Sequence, residues 1–156
     1  MIANWNAKVH NGDTVYILGD LVLQKCDPIP YLSRLKGKKH LIVGNHDKWA
    51  MREGVAAYFE SITPYVELSL DCHPVTLCHY PMLEWKNSRK VGSSRLGYMI
   101  HGHTHNKVSP LYRPLFEMDN ALNAGVDING FVPVSFDELL ANNTAFKQRA
   151  LEKLNY

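Results

Sequence analysis

Three histidines fall within five residues in the stretch His101-Gly102-His103-Thr104-His105. Two apolar residues precede the stretch, and its glycine stands where a strand would end. If the chain is extended here, alternation places His103 and His105 on the same side. Neutral imidazole is the commonest side-chain metal ligand, so these two residues would form half of a metal site. A polar loop with unrelated histidines explains the stretch equally well, because the chain has 8 histidines in 156 residues.

Metal-ligand side chains also follow three other apolar segments, each where a strand is predicted to end. These are residues 14–18 followed by Asp20, residues 40–43 followed by Asn45, His46 and Asp47, and residues 74–78 followed by His79. Open α/β sheets place their ligand sites at the carboxyl ends of strands, so we expect these side chains to converge. Carboxylate, amide and imidazole groups together suit Mn, Fe, Ni or Zn rather than Ca. Two such metals about 3.5–4 Å apart clamp an in-line displacement at phosphorus and generate hydroxide at neutral pH.

The elements that must position these residues alternate between short strands and helices, which indicates an α/β sheet fold. Continuous apolar runs predict strands buried on both faces at 14–18 and 40–43. Ser135 and Glu138 form a capping-box pattern at the start of a helix. The remaining predicted elements are helices at 2–9, 28–35, 49–59 and 146–154, a hairpin of 65–70 with 74–78, and strands at 98–100 and 121–126.

The composition is that of a soluble globular protein. A hydrophobic content of 46% and a charged content of 21% are ordinary for a single soluble domain. The net charge of +2 is too small to indicate a nucleic-acid or membrane partner. A basic loop at 86–95 offers weak support for a nucleic-acid ligand, although a solvated loop explains it better. The three cysteines are widely spaced, which favours free thiols in a reducing compartment. No signal-peptide pattern follows Met1, so we expect a cytoplasmic location.

The motifs, taken in order, resemble those of the calcineurin-like metallophosphoesterase superfamily, in particular its small bacterial and phage-type members. That family carries D-x-H, G-D, G-N-H-D/E, a lone H and G-H-x-H. The last four stand here as Gly19-Asp20, residues 44–47, His79 and residues 102–105. The resemblance covers essentially the whole chain, which we treat as one domain over residues 1–156.

The resemblance implies a β-sandwich flanked by α-helices, and a role for each matching residue. Asp20 would bridge two divalent metals, Mn first, with Fe, Ni or Zn as alternatives. One metal would be completed by Asn45, His79 and His103, while His105 would bind the other. His46 would meet the substrate phosphate and assist the leaving group. Asp47 would support the loop that carries His46 and would not bind metal. His101 matches no ligand position of the family, and we interpret it as a supporting residue beside the site.

The first family motif has no counterpart in this chain. No D-x-H occurs between Met1 and Asp20, so only Asp20 and His105 remain for the first metal, and one metal in place of two is an alternative. The strand that carries the motif would also be missing, which leaves an unpaired sheet edge. A start codon placed too far downstream, a shortened chain and a degenerate family member all remain open.

Two functions from different classes follow. The first is a hydrolase that cleaves phosphodiesters or small phosphomonoesters, nucleotides included, through a metal-activated hydroxide. The alternative is a catalytically silent member of the fold that serves as a binding or assembly module, which the missing D-x-H favours. His46 favours the enzyme, because a scaffold has no reason to retain a residue that is not a metal ligand. The oligomeric state is left open by the sequence.

Overall fold

The computed structural model describes residues 1–23, 25–70, 72–90, 92 and 95–155, and it has an α/β fold built on two β-sheets. Its helices are α1 (Ile2–Lys8), α2 (Ile29–Leu32), α3 (Arg113–Glu117) and α4 (Phe136–Leu154), with 3-10 turns at Asp47–Met51, Ala56–Tyr58 and Pro110–Tyr112. Its strands are β1 (Thr14–Ile17), β2 (Lys38–Ile42), β3 (Ser61–Thr63), β4 (Tyr65–Leu70), β5 (His73–Cys78), β6 (Tyr98–His101) and β7 (Ala121–Asn123).

The two sheets differ in strand direction. The first has three parallel strands in the order β1-β2-β3. The second has the order β4-β5-β6-β7, in which β4 pairs antiparallel with β5 and the other pairs are parallel. The predicted hairpin is therefore confirmed for 65–70 and 73–78, while Asp71 of its turn lies outside the described residues. Pro64 alone separates β3 from β4, so the chain passes directly from one sheet to the other.

One hydrophobic cluster contains residues of both sheets. Ile42 of β2 packs with Leu77 of β5, Ile100 of β6 and Leu122 of β7, and Leu139 of α4 joins them. A second cluster packs Ile17 and Leu41 of the first sheet against the fully buried Trp49. Burying these apolar side chains supplies most of the stabilisation of such a fold, and it brings the carboxyl ends of β1, β2, β5 and β6 to one region.

Helix α4 confirms the predicted capping box and corrects the segmentation that follows it. The Ser135 hydroxyl accepts the amide N–H of Glu138, and the Glu138 carboxylate accepts the amide N–H of Ser135. The helix then continues for 19 residues without the predicted break before 146. Asn143 and Thr144 are poor helix formers, but their side chains donate hydrogen bonds to carbonyls one turn back. Asn143 donates to the Leu139 carbonyl and Thr144 to the Leu140 carbonyl.

Several predicted elements are shorter in the structure. The region 49–59 contains two 3-10 turns instead of one helix, because Gly54 between them has a φ of +79°. Strand β7 ends at Asn123, whose side chain accepts the Gly125 N–H and begins a turn. Helix α2 ends at Leu32, three residues before the predicted end.

The expectation that β1 is buried on both faces was wrong. Thr14 is exposed, because β1 is the end strand of a sheet of only three strands. The three cysteines are free, as predicted. None of the helices in the described ranges combines the length and hydrophobicity needed to cross a membrane.

Candidate metal centre

Four strand ends from two sheets bring their polar residues together. Asp20 follows β1 and His79 follows β5, while His103 follows β6. One ligand atom from each of these three residues lies within 4.8 Å of the others. Asn45, after β2, joins them through its amide oxygen, which lies 3.1 Å from His79 Nε2 and 3.0 Å from His103 Nδ1. The convergence expected at the carboxyl ends of the strands is therefore present for these four side chains.

The hydrogen bonds of His79 define which of its ring nitrogens faces the centre. His79 is 1% exposed, and its Nδ1 lies 2.7 Å from the carbonyl oxygen of Leu18, so Nδ1 carries the proton that this oxygen accepts. In the neutral ring Nε2 then carries a lone pair. Nε2 faces two further electron-pair donors, Asp20 Oδ2 at 3.3 Å and Asn45 Oδ1 at 3.1 Å. A divalent cation satisfies three such atoms at once, and these residues therefore fit a metal ion.

Three glycines pack closely around the His79 ring. A Cβ on Gly44 would lie 2.8 Å from His79 Nδ1 and closer still to Asp20 Oδ1. A Cβ on Gly19 would lie 2.7 Å from the backbone of Gly44, and one on Gly102 would lie 2.6 Å from the Leu18 carbonyl. The glycines that precede Asp20, Asn45 and His103 are therefore required by the packing of the centre, and the sequence indicated them only as strand ends.

The buried Asp47 connects the loop after β1 with the loop after β2. Its carboxylate oxygen Oδ2 accepts the N–H groups of Asp20 and Gly44, each at 2.8 Å. Burial raises the pKa of Asp47, and these two N–H donors oppose that rise. The amide N–H of the neighbouring His46 donates to Asp20 Oδ1 at 2.8 Å. Asp47 thus supports the loops that carry Asp20 and Asn45. His46 is exposed, and its backbone N–H contacts the Asp20 carboxylate.

The extended conformation assumed for the histidine stretch is not present. Strand β6 ends at His101, and His103 and His105 have left-handed φ values of +64° and +52°. His103 joins the centre, where desolvation lowers its pKa and favours the neutral imidazole that a metal requires. His105 is instead paired with Asp127, with 3.2 Å between Nδ1 and Oδ2. Sequence reasoning missed this partner, although Asp127 directly follows the strand predicted at 121–126.

His101 lies behind the centre and is not in the ligand group of the described residues. It is 2% exposed, and its Nδ1 lies 2.9 Å from the Gly102 carbonyl oxygen. Burial lowers the pKa of His101 to about 4, so the ring is neutral at neutral pH. It is therefore placed to support the backbone that leads into His103.

The basic loop has much of its charge paired within the protein. Lys86 Nζ lies 2.6 Å from a Glu67 carboxylate oxygen, and an Arg89 guanidinium nitrogen lies 2.9 Å from that of Glu84. Val91, Ser93 and Ser94 of this loop lie outside the described residues. These ion pairs reduce the positive charge that a nucleic acid would encounter.

No protein-family model matches the chain. The Gene 66 protein of Mycobacterium phage L5 is 27% identical over 164 residues, covering 86% of this chain and 75% of the phage protein. The crystal structure of AQ665, a protein of unknown function from Aquifex aeolicus, superimposes with a TM-score of 0.66 at 27% identity, covering 88% of this chain and 80% of that one. The uncharacterized protein MJ1445 of Methanocaldococcus jannaschii is 30% identical over 140 residues, which are 88% of this chain and 69% of MJ1445. With that identity over more than two thirds of the relative, this chain belongs to the family of MJ1445.

Proposed function

We propose that this protein is a metal-dependent phosphoesterase with the β-sandwich of the calcineurin-like metallophosphoesterases. The observation that carries the proposal is the convergence of Asp20, Asn45, His79 and His103. Their ligand atoms include a carboxylate, an amide oxygen and two imidazoles, which is the donor set expected from the resemblance. The hydrophobic cluster shared by the two sheets supports the sandwich arrangement.

The metal would be a divalent transition ion, Mn first, with Fe, Ni or Zn as alternatives. When bound, such an ion polarises a phosphoryl oxygen and lowers the pKa of a water molecule toward neutrality. Within the described part of the chain one ligand group of this kind is formed, which favours a single resident ion. His105, paired with Asp127, offers a starting point for a second ion.

His46 would act on the substrate and not on the metal. Its backbone N–H donates to the Asp20 carboxylate, and the residue is exposed to solvent. From there the imidazole could donate a proton to the departing oxygen of a phosphodiester or a small phosphomonoester. Nucleotides belong to this substrate class.

Hydrolysis of bis(4-nitrophenyl) phosphate, with and without Mn²⁺, tests the proposal. We expect turnover that depends on Mn²⁺ and falls by roughly 10²–10⁴-fold in His46→Ala, the range typical of a lost general acid. His10→Ala is the matched control, because His10 is also an exposed histidine and lies in the turn before β1. It should retain the wild-type rate.

The two functional hypotheses predict different results. An enzyme loses turnover in His46→Ala while its affinity for Mn²⁺ stays at the wild-type value. A folded wild-type protein that binds Mn²⁺ and hydrolyses neither this diester nor 4-nitrophenyl phosphate would contradict the enzymatic proposal. That outcome would favour the binding or assembly module.

A further inference from the structure

The turn that presents His103 adopts a backbone conformation that its residues do not favour. His103 and His105 both have positive φ values, which side chains with a Cβ rarely adopt. Such conformations persist only where the surroundings hold them. Within the turn itself, the Thr104 N–H donates to the Gly102 carbonyl oxygen at 2.7 Å. Contacts from outside the turn must therefore supply the remainder of the constraint.

Asn123, the last residue of β7, contributes to that constraint beside the contact of Asp127 with His105. Its amide nitrogen donates to the His105 carbonyl at 2.7 Å and to the Thr104 hydroxyl at 3.1 Å. Its amide oxygen accepts the Gly125 N–H at 2.8 Å. Both side-chain N–H donors are thus used on the histidine turn. Asn123 and Thr104 are 6% and 4% exposed, so little water competes for these bonds.

Asn143 of α4 holds Asn123 in turn. Its side-chain oxygen accepts the Asn123 backbone N–H at 2.7 Å, and its amide nitrogen donates to the Asn123 carbonyl at 3.0 Å. The amide group thereby pairs with both main-chain polar groups of Asn123, as a neighbouring strand would. Asn143 is itself 1% exposed and bonded to the Leu139 carbonyl of its own helix. The path from α4 to the histidine turn is therefore a continuous set of buried hydrogen bonds.

We infer that Asn123 is a positioning residue for the metal centre, which holds residues 103–105 in the conformation that presents the His103 imidazole. The inference rests on the proposed metal-binding function. Asn123 would not touch the metal or the substrate, because its polar atoms are occupied by Thr104, His105 and Gly125. Partners of this kind typically change metal affinity by about 10–100-fold when they are removed.

The test compares Asn123→Leu with Asn120→Leu, which removes a similar buried asparagine. Asn120 is 7% exposed, and its amide nitrogen donates to the Ser88 and Gly97 carbonyls, away from the histidine turn. Leucine has nearly the shape of asparagine and adds no charge. We expect both variants to melt at lower temperature in EDTA. Only Asn123→Leu should weaken Mn²⁺ binding, measured by titration calorimetry, by about tenfold or more.

Amide chemical shifts of the metal-free variants provide the second readout. Asn123→Leu should move the backbone signals of residues 103–105, and Asn120→Leu should leave them in place. Unchanged shifts and unchanged Mn²⁺ affinity in a folded Asn123→Leu would overturn the inference. If the wild type binds no Mn²⁺, the proposed function fails, while the shifts still decide whether Asn123 holds the turn. Should Asn123→Leu fail to fold, Asn143→Leu removes both bonds to the Asn123 main chain from a position distant in sequence, and it should move the same signals.

Discussion

At the scale of single residues, His79 organises the candidate site. It is almost fully buried, its Nδ1 is bonded to the Leu18 carbonyl, and its Nε2 faces Asp20 and Asn45. A buried ring that is hydrogen-bonded through Nδ1 has a fixed position and orientation and leaves Nε2 free to bind a cation, which is what a preorganised metal ligand needs. The surrounding glycines make this position possible, because a side chain at any of them would overlap with the His79 ring or with the atoms packed against it.

The first prediction concerns one of these glycines. Gly44→Ala should weaken Mn²⁺ binding by about tenfold or more, because its Cβ would displace the Asp20 carboxylate and the His79 ring. Gly44 does not have a positive φ, so the effect would be steric and not conformational. The measurement is titration calorimetry with Mn²⁺.

Gly12→Ala is the control for this prediction. A Cβ on Gly12 has no heavy atom within 4 Å, and Gly12 also lacks a positive φ. This variant should bind Mn²⁺ with wild-type affinity. Equal affinities in the two variants would contradict the close packing of the centre.

At the scale of elements, α4 stabilises the fold and supports the site at the same time. Its N-terminus is closed by the capping box and tied to α1 by Lys8, whose Nζ lies 2.6 Å from the Glu138 carboxylate. Further along the helix, Asn143 is hydrogen-bonded to Asn123 of β7. Lys147 follows on the same buried side and donates to the Met118 carbonyl. The capping box and Lys8 thus stabilise the helix itself, whereas Asn143 supports the site. The two roles can be tested separately.

The capping box gives the second prediction. Ser135→Ala should lower the free energy of unfolding by about 1 kcal/mol, the usual cost of losing an N-cap side chain. Urea denaturation measures this change. Ser33→Ala, at an exposed position at the end of α2, should leave the free energy of unfolding near the wild-type value. A Ser135→Ala variant as stable as Ser33→Ala would show that the box contributes little to α4.

The third prediction concerns the pH dependence of stability that Lys147 causes. Burial lowers the pKa of this lysine from 10.5 to about 8, an effect that the Asp119 carboxylate opposes. Between these two values the unfolded chain binds the proton that the folded protein has lost, so the free energy of unfolding rises with pH. His101, which also interacts with Lys147, is neutral throughout this range.

Lys147→Met removes that dependence. Relative to this variant, the wild type should gain stability from pH 8 to pH 10.5, by up to about 3 kcal/mol at 1.36 kcal/mol per pKa unit. The difference between the two denaturation curves at each pH isolates Lys147 from the tyrosines, which both proteins share. A difference that does not change with pH would contradict the lowered pKa.

At the scale of the whole molecule, the candidate metal ligands come from two sheets. Asp20 and Asn45 follow strands of the first sheet, and His79 and His103 follow strands of the second. A metal held by all four would connect the sheets at their carboxyl ends. Binding that is specific to the folded state must raise its stability, by about 2.7 kcal/mol at a metal concentration 100 times the dissociation constant.

The fourth prediction follows from this linkage. Mn²⁺ should raise the melting temperature of the wild type, and EDTA should reverse the increase. Asn45→Ala removes an exposed side chain, so it should melt near the wild type in EDTA and gain much less from Mn²⁺. Differential scanning calorimetry measures both values. An equal Mn²⁺-induced increase in the two proteins would exclude Asn45 as a ligand.

The sequence by itself determined the parts that depend on neighbouring residues. Apolar runs followed by a polar residue indicated the strands before Asp20, Asn45, His79 and His103, and all of these residues except His79 also follow a glycine. Such patterns are readable because burial and turn formation act over a few positions. The capping box at Ser135 was readable for the same reason, since its partners are three residues apart. The types of ligand were also visible, because they are the residues themselves.

Only the tertiary structure decided which of these parts meet. The bond between His79 and Leu18 joins residues 61 positions apart, and no local pattern encodes it. The same holds for the pairing of His105 with Asp127, which replaced the expected alternation of His103 and His105. Asn143 sits in a helix and pairs with a strand end 20 residues away, so helical periodicity alone could not reveal it. Local preferences thus defined the ligand-bearing segments, and packing of the two sheets and α4 defined the centre, because long-range contacts depend on the whole folded chain.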